Sequence, residues 1–119
     1  MKNAIVIIPT FNEIENIEAI IKAVFSQSEF IEILVVDDNS PDLTGLKVKE
    51  LQNEFPNRLF LEVRKQKAGL GTAYIHGFKW ALKMQYHFIF EMDADFSHNP
   101  KDLIKLYQAC HENGADVAI

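Results

Sequence analysis

Ala4-Ile-Val-Ile-Ile-Pro-Thr-Phe-Asn-Glu13 decides the fold. Ala4 to Ile8 is a short, unbroken apolar run rich in β-branched residues, which suits a strand buried on both faces. Polar loop chemistry follows, with Asn12 placed to cap a helix and Glu15 three residues on in a capping-box position. Ile14, Ile17, Ile20, Ile21, Val24 and Phe25 then recur at helical spacing. A doubly buried strand running straight into an amphipathic helix is the opening of a parallel α/β sheet.

The rest of the chain repeats that unit. Residues 31–36 form a second apolar strand that ends in Asp37-Asp38, and Asn39-Ser-Pro-Asp42 reads as a loop. A helix from about Thr44 turns Val48, Leu51 and Phe55 inward and stops at Pro56. Residues 59–63 give a third strand, and Gly69-Leu-Gly-Thr72 turns into a helix bearing Phe78, Ala81 and Leu82. Residues 87–92 give a fourth strand, followed by Asp93-Ala-Asp95. Asn99-Pro100 opens a helix with Leu103, Ile104, Leu106, Tyr107 and Cys110 buried. Gly114 closes it, and residues 115–119 begin a fifth strand. The expectation is an α/β, mostly parallel sheet with helices on both faces, cut short at its C-terminal end.

Bulk properties narrow the function. A length of 119 residues fits a single core. The net charge of −5 argues against a nucleic-acid partner, because phosphate backbones attract basic faces. It also means that an anionic ligand needs a metal ion or a few placed cations. The lone cysteine rules out an internal disulfide and fits a reducing compartment. No signal peptide is visible and no apolar run reaches the ~20 residues of a membrane span, so a cytoplasmic setting is expected.

Ligands of open parallel sheets bind at the carboxyl ends of strands, beside the point where strand order reverses. In the order 3-2-1-4 the loops after strands 1, 2 and 4 meet in one crevice, and those loops hold Pro9 to Glu13, Asp37 to Ser40, and Asp93 to Asp95. Asp93 and Asp95 sit two apart on an extended segment, ~6–7 Å between Cα atoms. Such a pair suits a hard divalent ion, Mg²⁺ or Mn²⁺, completed by diphosphate oxygens; a solvated acidic turn is the plainer alternative. Asp38 suits hydrogen bonds from a ribose or a base amino group, while Asp37 and the same loop suit an Asx turn. Phe11 is able to stack on a base or to pack locally, and Glu13 to accept base N–H groups or to complement the helix dipole. Arg64, Lys65 and Lys67 are placed to offset phosphate charge, although at least two of the three read as a solvated strand end. Gly69-Leu-Gly-Thr-Ala-Tyr74 lacks the third glycine of a dinucleotide fingerprint and follows the wrong strand. The histidines show no zinc spacing, and Trp80 reads as packing.

Pro9-Thr-Phe-Asn-Glu13, Val35-Val-Asp-Asp-Asn-Ser-Pro-Asp42, Gly69-Leu-Gly-Thr-Ala-Tyr74 and Met92-Asp-Ala-Asp-Phe-Ser-His98 stand in an order that resembles family 2 glycosyltransferases, the dolichyl- or polyprenyl-phosphate mannosyltransferases above all. The resemblance covers essentially the whole chain. It implies a GT-A fold and inverting transfer of mannose from GDP-mannose to a polyprenyl phosphate at the cytoplasmic face of a membrane. By that resemblance Pro9, Phe11, Glu13, Val36 and Asp38 hold the nucleoside. Asp93, Ala94 and Asp95 hold the diphosphate and its metal, Asp93 and Asp95 being the catalytic pair, and Ser97 is a further metal ligand. It also makes residues 1–119 the nucleotide-sugar-binding part of a longer enzyme, inactive without its acceptor part. Phe11 stands where Tyr is commoner, keeping the ring; Leu43 where Gly is usual; Asn99 where Asp, His or Pro is common. Two alternatives stay in view: a family 2 enzyme using a UDP-sugar with a glycan or lipid acceptor, and a non-catalytic sugar-nucleotide-binding module. A phospho-acceptor receiver domain is excluded, since it needs its acidic pair after strand 1 and an Asp ending strand 3, where Arg64 follows Val63.

Overall fold

The computed structural model describes residues 4–65, 69–94 and 117–118. Its elements are β1 (Ala4–Thr10), α1 (Ile17–Phe25), β2 (Ile31–Asp37), α2 (Thr44–Gln52), β3 (Leu59–Val63), α3 (Leu70–Lys83), β4 (Phe88–Glu91) and β5 (Val117–Ala118). The sheet order is β3-β2-β1-β4-β5, and every neighbouring pair is parallel. The expected order 3-2-1-4 is therefore the observed one. The expected helix at 99–113 lies outside the described residues.

The two faces follow from the alternation of side chains along β1. Ala4, Val6 and Ile8 join Ile33 and Val35 under α1 and α2 in one apolar cluster. Ile5 and Ile7 join Leu34 and Val36 under α3 in the other. Each fully buried Ile or Val contributes roughly 1.5–3 kcal/mol of transfer free energy, so the most apolar strand gains most from the central position.

Two helices depart from the sequence reading. Helix α1 begins at Ile17 with Asn16 at its N-cap, because Asn12 takes φ 57°, a left-handed conformation unlike that of an N-cap. The Asn12–Glu15 capping box is thus corrected. Ile14 leaves the buried stripe and is 37% exposed. Helix α2 ends at Gln52, short of Pro56; Phe55 lies beyond it and packs its ring 4.6 Å from that of Phe25.

Helix α3 starts at once behind Gly69, whose φ of 100° takes a glycine without strain. Its inward stripe is small: Ala73, Gly77 and Ala81 are buried, while Leu82 is 55% exposed and points outward, contrary to expectation. A Cβ on Gly77 would stand 2.6 Å from Ile7 Cγ2, so the helix backbone lies directly on β1. Trp80 packs between Phe60 and Tyr86, as its packing role requires.

Candidate functional site

The crevice at the carboxyl ends of β1, β2 and β4 is built around Asp37. Thr10 and Asp37 are register partners at the ends of β1 and β2. Asp37 Oδ1 accepts hydrogen bonds from Thr10 Oγ1 and Ser40 Oγ, each at 2.6 Å, and Oδ2 accepts the Ser40 amide at 2.9 Å. The residue is buried. Asp37 is therefore the loop support, and Asp38 is the carboxylate left for the crevice side.

The same loop holds the segment between β1 and α1 from across the sheet. The amides of Asn12, Glu13 and Ile14 donate to Ser40 Oγ, Thr44 Oγ1 and Asp42 Oδ2 at 2.9, 3.0 and 3.1 Å. Thr44 in turn donates its hydroxyl and its amide to Asp42 Oδ1. Burial raises the Asp42 pKa, but the bonds from Thr44 and Ile14 outweigh it and hold the carboxyl below its usual range. Three consecutive amides of the β1–α1 loop are thus satisfied by side chains of Ser40, Asp42 and Thr44, so the loops after β1 and β2 form one unit.

Asp38 is not an open acceptor. Arg64 grips it bidentately, Nε to Oδ1 at 2.6 Å and Nη2 to Oδ2 at 2.7 Å, with side-chain exposures of only 14% for Arg64 and 6% for Asp38. Arg64 also donates to Thr72 Oγ1 at 3.0 Å and to the Gly69 carbonyl at 3.3 Å. It is the exception among the three basic residues: Lys65 is exposed, and Lys67 lies outside the described residues.

At the third loop, the Met92 amide donates to the Ile7 carbonyl at 3.0 Å, continuing β4 alongside β1. Met92 and Ala94 turn into the α1–α2 cluster, so Asp93 projects to the opposite, α3 side. There Tyr74 Oη donates to Asp93 Oδ1 at 2.5 Å. Burial, and then the charge of Asp93, push the Glu91 carboxyl upward, the response of carboxylates crowded without a cation between them.

Of the expected site residues, Pro9, Phe11, Glu13, Val36, Asp38, Asp93 and Ala94 all stand on the three converging loops or strand ends. The side chains of Val36 and Ala94 are in the two core clusters, so they offer a ligand their backbone. Phe11 and Glu13 are half-buried at the rim. Asp95 and Ser97 lie outside the described residues. Among the described residues no three His, Cys, Asp or Glu side chains gather as a metal cluster. Asp93 alone still fits a hard divalent ion, which needs as few as one protein carboxylate when phosphate oxygens supply the rest. Thr72 and Tyr74 were missed as site residues, although they lie in the Gly69 to Tyr74 motif, and Arg64 was weighed against phosphate charge and not as the partner of Asp38.

Known proteins resemble the chain in sequence and in fold. A polyprenol monophosphomannose synthase of Mycolicibacterium smegmatis is 47% identical over 118 residues, 99% of this chain and 44% of the relative. A dolichol-phosphate mannosyltransferase of Pyrococcus furiosus is 40% identical over 96% of this chain and 31% of the relative. The chain thus spans less than half the length of either. Among solved structures, a mannosyltransferase from Pyrobaculum calidifontis in complex with GDP-Man and Mn²⁺ superposes with a TM-score of 0.67 at 26% identity, covering 86% of this chain and 30% of that one. With the strand order, that likeness bears out the expected GT-A fold. The sequence model of glycosyl transferase family 2 matches residues 5–119, nearly the whole of what has been described, and the chain belongs to that family.

Proposed function

We propose that the protein transfers a mannosyl group from GDP-mannose to a polyprenyl phosphate, with inversion, at the cytoplasmic face of a membrane. The observation that carries this reading is that β2 and β4 flank β1 in parallel, with Asp38 just past the end of one and Asp93 just past the end of the other, in a chain 47% identical to a polyprenol monophosphomannose synthase. Among the described residues no helix is long and apolar enough to cross a membrane.

Residues 1–119 supply the donor side in this proposal. Phe11 stacks on the base and Glu13 accepts its N–H groups. Asp38, held by Arg64, receives the ribose or base amino group, and Pro9 and Val36 line the nucleoside with backbone. Asp93 and Asp95 hold Mg²⁺ or Mn²⁺ and the diphosphate, with the Ala94 backbone and Ser97 beside them. The ion supplies electrostatic stabilisation of the leaving diphosphate. An acceptor phosphate oxygen attacks the anomeric carbon in line as the bond to the GDP β-phosphate oxygen breaks. The acceptor is already an anion, so no strong general base is required of the chain.

The reading is tested by thermal shift with GDP-mannose and with UDP-sugars, each with and without Mn²⁺. Stabilisation by GDP-mannose that depends on Mn²⁺ is expected. Equal stabilisation without metal points to a non-catalytic binding module instead, and preference for a UDP-sugar moves the protein to another donor class.

A further inference from the structure

We infer that Tyr74 is a positioning residue for Asp93, setting the direction in which that carboxylate meets a cation-bound diphosphate; this rests on the donor site proposed above. Three observations carry it. The Tyr74 ring packs against the α3-side core cluster, so its hydroxyl has a fixed point of departure. That hydroxyl donates to Asp93 Oδ1 at 2.5 Å, within the short range of O–H···O⁻ bonds. The helix that carries it is pressed onto β1 at Gly77, which leaves little room for Tyr74 to drift relative to the strand ends.

The chemistry is that of an outer-sphere support. An ionised carboxylate has about four lone-pair sites, and one phenol hydroxyl takes one of them. The remaining sites keep a defined orientation, as ligating groups do when a neighbour fixes them. Glu91 lies two residues before Asp93 on the same strand face, and the Tyr74 hydroxyl anchors Asp93 without adding charge to that face. The opening turn of the same helix braces the other end of the site, because Thr72 and the Gly69 carbonyl hold Arg64 against Asp38. Removing the Tyr74 hydroxyl should therefore disturb the diphosphate end and spare the nucleoside end.

The test compares Tyr74→Phe with wild type in the full-length protein, with GDP and Mn²⁺ as the probes. Calorimetry measures GDP affinity without metal and the Mn²⁺ concentration that half-saturates its enhancement. The expected result is a half-saturating Mn²⁺ concentration raised about 10-fold or more, with metal-free GDP affinity within about 2-fold of wild type. An unchanged Mn²⁺ dependence overturns the inference and leaves the proposed function standing. A parallel fall in metal-free GDP affinity also overturns it, since that is the mark of a general structural role. Should wild type itself show no Mn²⁺-linked GDP binding, the proposed function fails first and the inference with it.

Discussion

Leu43 holds φ 70° and ψ 23° at the N-cap of α2. A left-handed conformation costs a residue with a Cβ about 1–2 kcal/mol, which glycine escapes. The Leu43 side chain is 61% exposed and returns little by burial. Leu43→Gly should therefore raise stability by roughly 0.5–1 kcal/mol, after the entropy glycine adds to the unfolded chain, and lift Tm by about 3 °C. Asp42, one residue earlier, gives a pH signature. Its folded pKa is below the usual 3.8, so its contribution is complete above that value and is lost as pH falls through the folded pKa. Wild-type stability should decline as pH falls below 3.8, a decline that Asp42→Asn largely lacks, read by denaturation across the acid range. Glycine would have been the legible residue at 43. Leucine hides the turn, because a residue-by-residue propensity holds no information on a conformation imposed by Asp42, which accepts from the Thr44 amide and from the Ile14 amide of the β1–α1 loop.

Strands were legible as elements because β-branched apolar runs carry their own signal: β3 falls on residues 59–63 as read, and β1 and β2 run only slightly longer. Helix starts were less so. The amides of Asn12, Glu13 and Ile14, which a local reading assigns to a helix start, are bonded by Ser40, Thr44 and Asp42, about thirty residues away, and the helix begins only at Ile17. The buried stripe of α3 was read only in part: Ala81 and Phe78 do face the core, Leu82 does not, and Ala73 and Gly77 went unseen. Ala73, Gly77 and Ala81 have little hydrophobicity to display, and what they contribute is close approach. Gly77→Ala should accordingly destabilise by about 1–3 kcal/mol, although alanine is the better helix former by about 1 kcal/mol. The contact at fault is with Ile7 Cγ2, 2.6 Å from the added Cβ. Urea denaturation of Gly77→Ala, Ile7→Ala and the double variant would measure the coupling, with the double variant more stable than the sum of the two losses.

For the molecule as a whole, topology was the most legible feature and charge pairing the least. Placing β1 between β2 and β4 follows from its complete burial, and it brings Asp38 and Asp93 to either side of the switch point. What composition does not display is that Asp38 is answered by Arg64, whereas Glu91 still registers the charge of Asp93. The two halves of the crevice therefore differ electrostatically. At the Asp38 end the charge is balanced within the chain, and a neutral nucleoside meets no net field to overcome. At the Asp93 end a diphosphate approaches carboxylates in a chain of net charge −5, and like charges a few ångströms apart repel unless a cation lies between them. Chelation with EDTA should then weaken GDP binding by about 10-fold or more while changing guanosine binding by less than about 2-fold, both read by calorimetry at fixed ionic strength. If guanosine and GDP lost affinity together, the ion would be organising the whole crevice, and the division of labour between Asp38 and Asp93 would be wrong.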